Sequence, residues 1–456
     1  METPIYTFLQ EYAEKNPLRM HMPGHKGRAP VPELEGAYTY DLTEISGADS
    51  LFEAEGIIAE SERNASRLFG TVQTVYSCGG STLCIQAMLH LMKQEGRRVV
   101  AARTVHRAFL NACVLLGLEV SWVYPSEEKG ILSGAYTPED FERVLETLEG
   151  QPACVYVTSP DYLGHMADIR GIAEVSHRYD APLLVDNAHG AHLAFLEKSL
   201  HPMALGADLC CDSAHKMLPC LTGCAYLHTA REEYAGRLKD AMGVFGSTSP
   251  SYLMLLSLDL CNRFLAEEAR ERLRYAVDAA KRLRQVFSGK LIFGAEGGDP
   301  LHLSIDTAAM GCDGRQIAMQ LEKLGCYAEY AGRESVVLLL SAMETEESMR
   351  RLEECLTACD FTPDGTETGE PPAFPRPEAV MGLREAALSE SEIRPAAKAL
   401  GQICAGVKVP CPPAVPVVIS GERIDESVLS VMEYYGINTA QVVKESVPKR
   451  PLFCKK

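Results

Sequence analysis

The sequence predicts an α/β protein built on a mostly parallel sheet with helices on both faces. From about residue 60 to residue 230, short runs of apolar and β-branched residues alternate with longer segments of helical periodicity. Several of these runs are apolar throughout, as expected of strands covered on both faces. The predicted strands are residues 71–76, 98–102, 119–124, 153–158, 182–186, 208–212 and 223–228, and the helices between them include residues 82–94, 138–148 and 169–179.

The remainder of the chain is predicted to form smaller units. Residues 251–288 have a long, mostly helical pattern, and a second α/β segment follows with strands at 302–305 and 336–341 and helices at 314–324 and 344–359. A Pro/Gly-rich linker precedes a helix near 383–401 and a proline-rich loop at 409–416. The predicted division is a large domain at 1–290, a small α/β domain at 291–361, a linker at 362–377 and a C-terminal domain at 378–456.

Composition narrows the class of protein. A chain of 456 residues with 46% hydrophobic and 23% charged residues suits a globular protein of more than one core. Its formal net charge of −18 disfavours nucleic acid or an anionic membrane as a partner and suits a cationic small substrate. The sequence has neither a membrane-spanning apolar run nor a secretory signal, so we expect a cytoplasmic location. Its 16 cysteines are dispersed without a Cys-x-x-Cys pair, which favours reduced thiols and no structural zinc site.

Two residues at predicted strand ends indicate a cofactor. Asp186 closes the apolar run 181–186, and Lys216 follows the run 207–212. An enzyme that uses pyridoxal 5'-phosphate (PLP) requires such a pair. Its lysine amine forms an imine with the cofactor aldehyde, and its carboxylate holds a proton on the ring nitrogen. The alternative for Lys216 is a solvated loop lysine.

A glycine turn could hold the phosphate of that cofactor. The segment Tyr76-Ser-Cys-Gly-Gly-Ser-Thr82 follows a predicted strand and opens a predicted helix. Glycines such as Gly80 let the backbone approach an anion, and the N–H groups of a helix N-terminus attract one. The alternative is a tight turn in which Ser81 or Thr82 caps the helix.

Further polar residues follow other strand ends. His106 lies just past strand 98–102, where a neutral imidazole could stack on the pyridine ring, although many loop histidines are surface residues. Ser213 and His215 flank Lys216 and could contact the phosphate and the imine. The order of glycine turn, histidine, aspartate and lysine is a stronger signal than any one of these residues.

The segment Asp186-Asn-Ala-His189-Gly-Ala-His192 also admits a metal site. An aspartate and two histidines spaced three apart could bind a cation, although Asp186 would then be unavailable to a PLP ring. A third interpretation is that Asp186 only caps the segment that follows it. We predict no metal.

With these motifs, the chain resembles the Orn/Lys/Arg decarboxylase family, which are PLP enzymes of fold type I, the aspartate-aminotransferase type. The resemblance runs from about residue 18 to residue 440 and is of the short form, without an N-terminal receiver-like wing. Its specific marks are His-Met-Pro-Gly-His-Lys-Gly at 21–27, Asp-Leu-Thr-Glu-Ile-Ser-Gly-Ala-Asp at 41–49, Ser-Ala-His-Lys at 213–216 and Ser-Thr-Ser-Pro-Ser-Tyr at 247–252.

The resemblance implies a role for each residue. Lys216 would bind the PLP aldehyde, Asp186 would contact the ring nitrogen and His106 would stack on the ring. Ser247 would reach the phosphate of a neighbouring subunit, which implies a homodimer with shared active sites, or a higher oligomer. The residues expected around the phosphate, the imine and the ring are Gly80, Ser81, Thr82, Ser213, His215 and His189. The segment that contains His25 would line the entrance, and Glu422 would meet a cationic substrate side chain.

The chain departs from the family pattern at four positions. Cys78 stands where the family usually has Asn, Gly80 where it has a hydroxyl residue, and the C-terminal Tyr-Pro-Pro-Gly-x-Pro motif has Cys411 and Ala414. The resemblance implies decarboxylation of a basic amino acid, with arginine first, lysine next and ornithine third, as in polyamine biosynthesis. Alternatives are an aminotransferase or retro-aldol lyase of the same fold, or a PLP-binding protein without catalysis.

Overall fold

The computed structural model describes residues 1–126, 130–294, 297–363, 371–406 and 415–444. Its largest element is a seven-stranded sheet, and all seven predicted strands are present with ends shifted by at most two residues. These strands are β1 (Gln73–Ser77), β2 (Arg98–Ala102), β3 (Val120–Val123), β4 (Ala153–Thr158), β5 (Leu183–Asp186), β6 (Leu209–Asp212) and β7 (Ala225–Thr229). They lie in the order β1-β7-β6-β5-β4-β2-β3, and β7 runs in the direction opposite to the other six strands.

Helices cover both faces of this sheet because its strands are apolar on both sides. In β4, Cys154 and Tyr156 pack in one core, whereas Val155 and Val157 pack in the other. The helices are α1 (Pro4–Glu14), α2 (Glu35–Tyr40), α3 (Ile57–Phe69), α4 (Gly80–Gln94), α5 (Arg107–Leu116), α6 (Pro138–Glu146), α7 (Ile169–Arg178), α8 (Pro202–Leu205), α9 (Ala214–Met217), α10 (Arg237–Gly243), α11 (Tyr252–Glu267) and α12 (Ala269–Phe287). A capping box of Thr137 and Asp140 begins α6.

Two smaller antiparallel sheets follow in the chain. The first has the order β8-β10-β9, and the second has the order β11-β13-β12. The elements of the first are β8 (His302–Asp306), α13 (Gly314–Lys323), β9 (Tyr330–Ala331), β10 (Ser335–Leu339) and α14 (Glu346–Ala358). Those of the second are α15 (Leu383–Leu388), β11 (Ser391–Pro395), β12 (Cys404–Gly406), α16 (Glu426–Tyr434) and β13 (Thr439–Val443). Short 3-10 turns occur at Pro32–Leu34, Ala191–Phe195 and Ala396–Lys398.

The helix predicted near residues 383–401 is wrong beyond Leu388. Residues from Ser391 to Pro395 instead form β11, which pairs antiparallel with β13. Pro395 has no N–H and its ring clashes inside a helix, so the helix cannot continue through it. The predicted domain boundaries stay a prediction. Residues 364–370 of the predicted linker, and residues 407–414 with Cys411 and Ala414, lie outside the described residues.

Two further expectations from the sequence concern the cysteines and membrane-spanning helices. Cys84, Cys113, Cys154 and Cys210 are buried free thiols, as the sequence predicts. Within the described ranges, no helix is both long enough and apolar enough to cross a bilayer.

A buried ion pair joins the C-terminal sheet to the large sheet. Arg103, directly after β2, has no exposed surface, and its guanidinium lies 3.1 Å from a carboxylate oxygen of Glu422. The same guanidinium donates to the carbonyl oxygen of Pro416 at 3.1 Å, and the N–H of Ile419 donates to Glu422 at 2.8 Å. Burial raises the pKa of Glu422, and Arg103 only partly opposes that rise. Glu422 therefore has an internal cationic partner.

Glu422→Gln should lower the free energy of unfolding by about 3–5 kcal/mol, because it leaves the Arg103 guanidinium buried without a countercharge. The matched control is Glu378→Gln. Glu378 pairs with Arg423 at 3.4 Å on the surface, where side-chain exposures of 72% and 44% predict a loss below about 1 kcal/mol. Urea unfolding of both variants measures the difference. Unchanged stability in Glu422→Gln, together with a raised substrate KM, would contradict the structural role.

Candidate active site

The polar residues singled out in the sequence converge at the carboxyl edge of the large sheet. A cavity of about 250 Å³ opens there. The cavity is lined by Ser81, His106, Asp186, His189 and Lys216, which lie at or just beyond the carboxyl ends of four strands, β1, β2, β5 and β6. Parallel strands bring their carboxyl ends to one edge, so residues 135 positions apart in sequence (81 to 216) meet in one place.

Asp186 ends β5 and is almost fully buried. Its carboxylate accepts hydrogen bonds from the Tyr156 hydroxyl at 3.3 Å and from the N–H of Ala188 at 3.2 Å, and the Cys211 thiol lies 3.7 Å away. These contacts hold the carboxylate against the cavity wall. A carboxylate fixed in this way can hold a proton on a basic ring nitrogen.

Lys216 lies in α9, one turn beyond β6, and its Nζ is 2.9 Å from Nε2 of His189. Burial lowers the pKa of His189 well below its ordinary value, and the nearby charge of Lys216 lowers it further. The imidazole is therefore neutral near pH 7. A neutral ring can share one proton with the lysine amine without adding a second positive charge.

His106 is the N-cap residue of α5, where its Nδ1 accepts a hydrogen bond from the N–H of Ala108 at 3.2 Å. That bond fixes the orientation of the ring and leaves Nε2 as its donor. Burial is the main cause of a lowered His106 pKa, with Lys216 and Arg107 adding to the effect and Asp186 opposing it. A neutral ring in this orientation can pack against a planar cofactor.

The glycine turn has the form expected of an anion site. Gly80 has φ +65°, and among the described residues no heavy atom lies within 4 Å of where its Cβ would be. The N-cap of α4 is Gly79, so the alternative in which Ser81 or Thr82 caps the helix is wrong. The N–H of Gly80 donates to the carbonyl oxygen of Gly223 at 2.9 Å. No side chain of the described part caps α4, so the N–H groups of Ser81 and Thr82 are the ones that could meet an anion. The Ser213 hydroxyl donates to the Ser81 hydroxyl at 2.8 Å beside this turn.

Seven of the candidate residues do not line the cavity. Gly80 and Ser213 adjoin Ser81, Glu422 is buried against Arg103, and the other four lie elsewhere. Thr82 and Ser247 face a second cavity of about 360 Å³ that also includes Cys78 and Gly79 of the glycine turn. The Nδ1 of His215 lies 3.0 Å from the carbonyl oxygen of Cys224. His25 hydrogen-bonds the carboxylate of Asp41 at 3.1 Å. The roles expected of these four residues stay predictions.

The alternative metal site is not assembled. His192 bonds Asp299 at 2.9 Å, while His189 faces Lys216, so these two side chains do not share a ligand position with Asp186. Within the described part of the chain, the group close enough to hold an ion is His201, Cys210 and Asp212. Asp212 already accepts from Asn187 at 2.7 Å and lies 3.0 Å from His201 Nε2, which is a complete internal hydrogen-bond network.

Asp299, which precedes β8, anchors the first small sheet to the site. Its carboxylate lies 2.9 Å from Nε2 of His192 and 3.0 Å from Nδ1 of His302, and all three side chains are fully buried. The rings of His302 and His189 are 5.7 Å apart between centroids. Burial by itself would raise the pKa of Asp299, but His192 and His302 outweigh it and hold the pKa below its ordinary value.

A carboxyl group whose pKa is lower in the folded protein than in the unfolded protein stabilises the fold at pH values above its unfolded-state pKa. This stabilisation is lost as the pH falls toward the folded-state pKa. Asp299→Asn should therefore lower the free energy of unfolding at pH 7 by about 1.5–3 kcal/mol for each charged hydrogen bond removed. The loss should shrink as the pH falls below the ordinary value of 3.8. Urea unfolding at pH 7, 5, 4 and 3 measures this. The control is Asp278→Asn, which changes an exposed aspartate of α12. Parallel stability–pH profiles for Asp299→Asn and the wild type would contradict the stabilising role of the Asp299 charge.

The fold and the site together define a class. A mostly parallel seven-stranded sheet with a lysine and a carboxylate at its carboxyl edge is the architecture of fold type I PLP enzymes. The match to the Orn/Lys/Arg decarboxylase major domain covers residues 3–297, so the chain belongs to the Orn/Lys/Arg decarboxylase family.

Relatives and solved structures agree with this family. The chain is 31% identical to arginine decarboxylase of Bacillus subtilis, over 94% of this chain and 92% of that protein. It is 29% identical to arginine decarboxylase of Halalkalibacterium halodurans over the same shares of the two chains. The crystal structure of lysine decarboxylase LdcF of Francisella novicida aligns with a TM-score of 0.79 and 16% identity, over 97% of this chain and 81% of that chain. The predictions of fold class, family and amino acid decarboxylase are confirmed.

The sequence reasoning missed several residues at the site. Tyr162 follows the carboxyl end of β4, and the strand-end rule that found Asp186 could have found it. Asp299, His302 and Glu329 come from the first small sheet and its approaches. No local motif marked these three residues.

Proposed function

We propose that this chain decarboxylates a basic amino acid with PLP bound through Lys216, and that arginine is its preferred substrate, ahead of lysine and ornithine. The observation that carries the proposal is that Lys216 and Asp186 line one cavity in a member of the Orn/Lys/Arg decarboxylase family. The relatives named arginine decarboxylase support arginine as the first choice.

The residues around the cavity fit PLP. Lys216 would bind its aldehyde, Asp186 its ring nitrogen, and His106 one face of its ring. Gly80, Ser81 and the N-terminus of α4 would hold its phosphate. Two buried polar atoms support the fit, because Thr158 Oγ1 and His189 Nδ1 have no hydrogen-bond partner among the described residues. When bound, PLP supplies an electron sink for the bond that breaks at Cα.

The chain's own residues then determine the environment of the reaction. The Nζ of Lys216 and Nε2 of His189, at 2.9 Å, can hold and exchange a proton beside the substrate Cα. Leu132, Pro160 and Val415 give the cavity apolar walls. Such walls exclude water and favour loss of a charged carboxylate as neutral CO2.

We also propose a homodimer with shared active sites. Ser247 is exposed and faces the second cavity, which reaches the far side of the glycine turn through Cys78, Gly79 and Thr82. A neighbouring subunit could approach the phosphate there. The cytoplasmic location expected from the sequence stays a prediction.

A substrate screen tests the proposed function. The protein reconstituted with PLP is incubated with arginine, lysine, ornithine and neutral amino acids, and CO2, amine and keto acid are measured. We expect CO2 and the matching amine, with the highest kcat/KM for arginine. Keto acid without CO2 would favour the aminotransferase alternative, and aldehyde release would favour a retro-aldol lyase. PLP binding without turnover of any basic amino acid would favour the non-catalytic alternative, whose sequence support, at Cys411 and Ala414, lies outside the described residues.

A further inference from the structure

The carboxylates that line the cavity differ in how many hydrogen bonds they already accept from the protein. Among the described residues, three carboxylate side chains line it, those of Asp161, Asp186 and Glu329. Asp186 is buried at the base of the site. Asp161 accepts the N–H groups of Leu163 and His165, both at 2.9 Å, and contacts the His165 ring at 3.1 Å. Glu329 remains as the acid of the cavity that is open to a ligand.

Glu329 is held at the rim by two contacts. Its backbone N–H donates to the carbonyl oxygen of Val337 in β10 at 2.9 Å, and its Oε1 accepts the Tyr162 hydroxyl hydrogen bond at 2.9 Å. The residue is otherwise exposed. The small sheet thus fixes the backbone of Glu329, and Tyr162 orients its carboxylate.

A continuous row of side chains connects Glu329 with the reactive amine. Nζ of Lys216 is 2.9 Å from His189, and the His189 ring lies edge-on to Tyr162 at 5.2 Å between centroids. Tyr162 then reaches Glu329 through its hydroxyl group, and Tyr330 packs on its other side at 5.5 Å. An amino acid that reacts beside Lys216 would extend a long side chain along these aromatic rings and place its tip near Glu329.

We propose that Glu329 binds the cationic end of the substrate side chain and selects a long basic amino acid against a neutral one of the same length. This proposal rests on the proposed function. It assigns to Glu329 the role that the sequence had suggested for Glu422, whose carboxylate is buried against Arg103. The aromatic ring of Tyr162, which lines the cavity beside Glu329, suits a guanidinium, because a planar cation stacks on such a ring while its N–H groups meet a carboxylate.

Glu329→Gln tests the proposal, because it preserves the shape of the side chain and removes its charge. The KM for arginine should rise by about 10- to 100-fold, the range for losing one charged hydrogen bond, with kcat changed by less than about 3-fold. Citrulline has the same length as arginine but a neutral tip. The preference for arginine over citrulline, as a ratio of kcat/KM, should fall by a similar factor. Calorimetry should also show weaker binding of agmatine to Glu329→Gln.

Two further variants complete the test. Glu329→Asp keeps the charge on a shorter side chain and should restore part of the arginine preference. Glu322→Gln, an exposed glutamate of α13, should leave all parameters unchanged. If the wild type decarboxylates arginine and Glu329→Gln retains its KM and its preference, the role of Glu329 is overturned while the proposed function stands. If the wild type decarboxylates no basic amino acid, both are overturned.

Discussion

Lys216→Ala is expected to abolish amine production, lowering kcat/KM by roughly 10⁴-fold or more, as removal of a covalent catalytic group does in other enzymes. In the proposed function, the side chain supplies both the amine that binds the cofactor and a proton carrier beside the substrate. The same variant should lose the imine absorbance of the reconstituted protein. It should also lose the mass increment that borohydride reduction fixes on the peptide containing residue 216.

Lys198→Ala is the matched control, since Lys198 is an exposed lysine outside the cavity that Lys216 lines. It should retain absorbance, borohydride labelling and turnover. Imine absorbance that persists in Lys216→Ala would show that another lysine binds the cofactor and would remove the basis of the proposed function.

Asp186→Asn is expected to separate cofactor binding from catalysis. The amide has almost the same shape and leaves Lys216 untouched, so the imine absorbance should persist. In the proposed function, the ring nitrogen would then lose the group that keeps it protonated, and the electron sink would be weakened. Turnover should fall by about 10²- to 10⁴-fold, the range for removing a group that controls a proton in the reaction.

The control for this variant is Asp240→Asn, an exposed aspartate of α10. It should keep the wild-type kcat. A kcat in Asp186→Asn equal to that of the wild type would mean that the carboxylate does not control the ring nitrogen. Thermal unfolding of both variants is measured alongside, because Asp186 also accepts hydrogen bonds from Tyr156 and Ala188.

Much of the large sheet could be predicted because its signal is local. Residues 181–185 are apolar at every position, which is the pattern expected of a strand buried on both faces. The position of Asp186 at the end of the run then predicts its place at the carboxyl edge. The same reasoning predicts that Lys216 and His106 lie at that edge as well, and both line the cavity.

Other features could not be predicted because they depend on partners distant in the chain. The 383–401 segment looked helical, but Pro395 and the pairing of β11 with β13 make its second half a strand. Glu422 matches a family motif, yet its carboxylate forms an ion pair with Arg103, which lies 319 positions away in the sequence. Glu329 had no motif at all, and its relevance comes from the Tyr162 hydroxyl that orients it.

The sequence by itself determined the class of sheet, the family and the pair of Lys216 and Asp186, since apolar runs and strand-end residues are readable along the chain. Only the tertiary structure decided which carboxylates are paired with cations or N–H donors of the protein and which one remains at the rim of the cavity. The physical reason is that the charge of a side chain is available to a ligand only if folding has not already brought a counterion or N–H donor to it. That condition is met or broken by residues hundreds of positions apart.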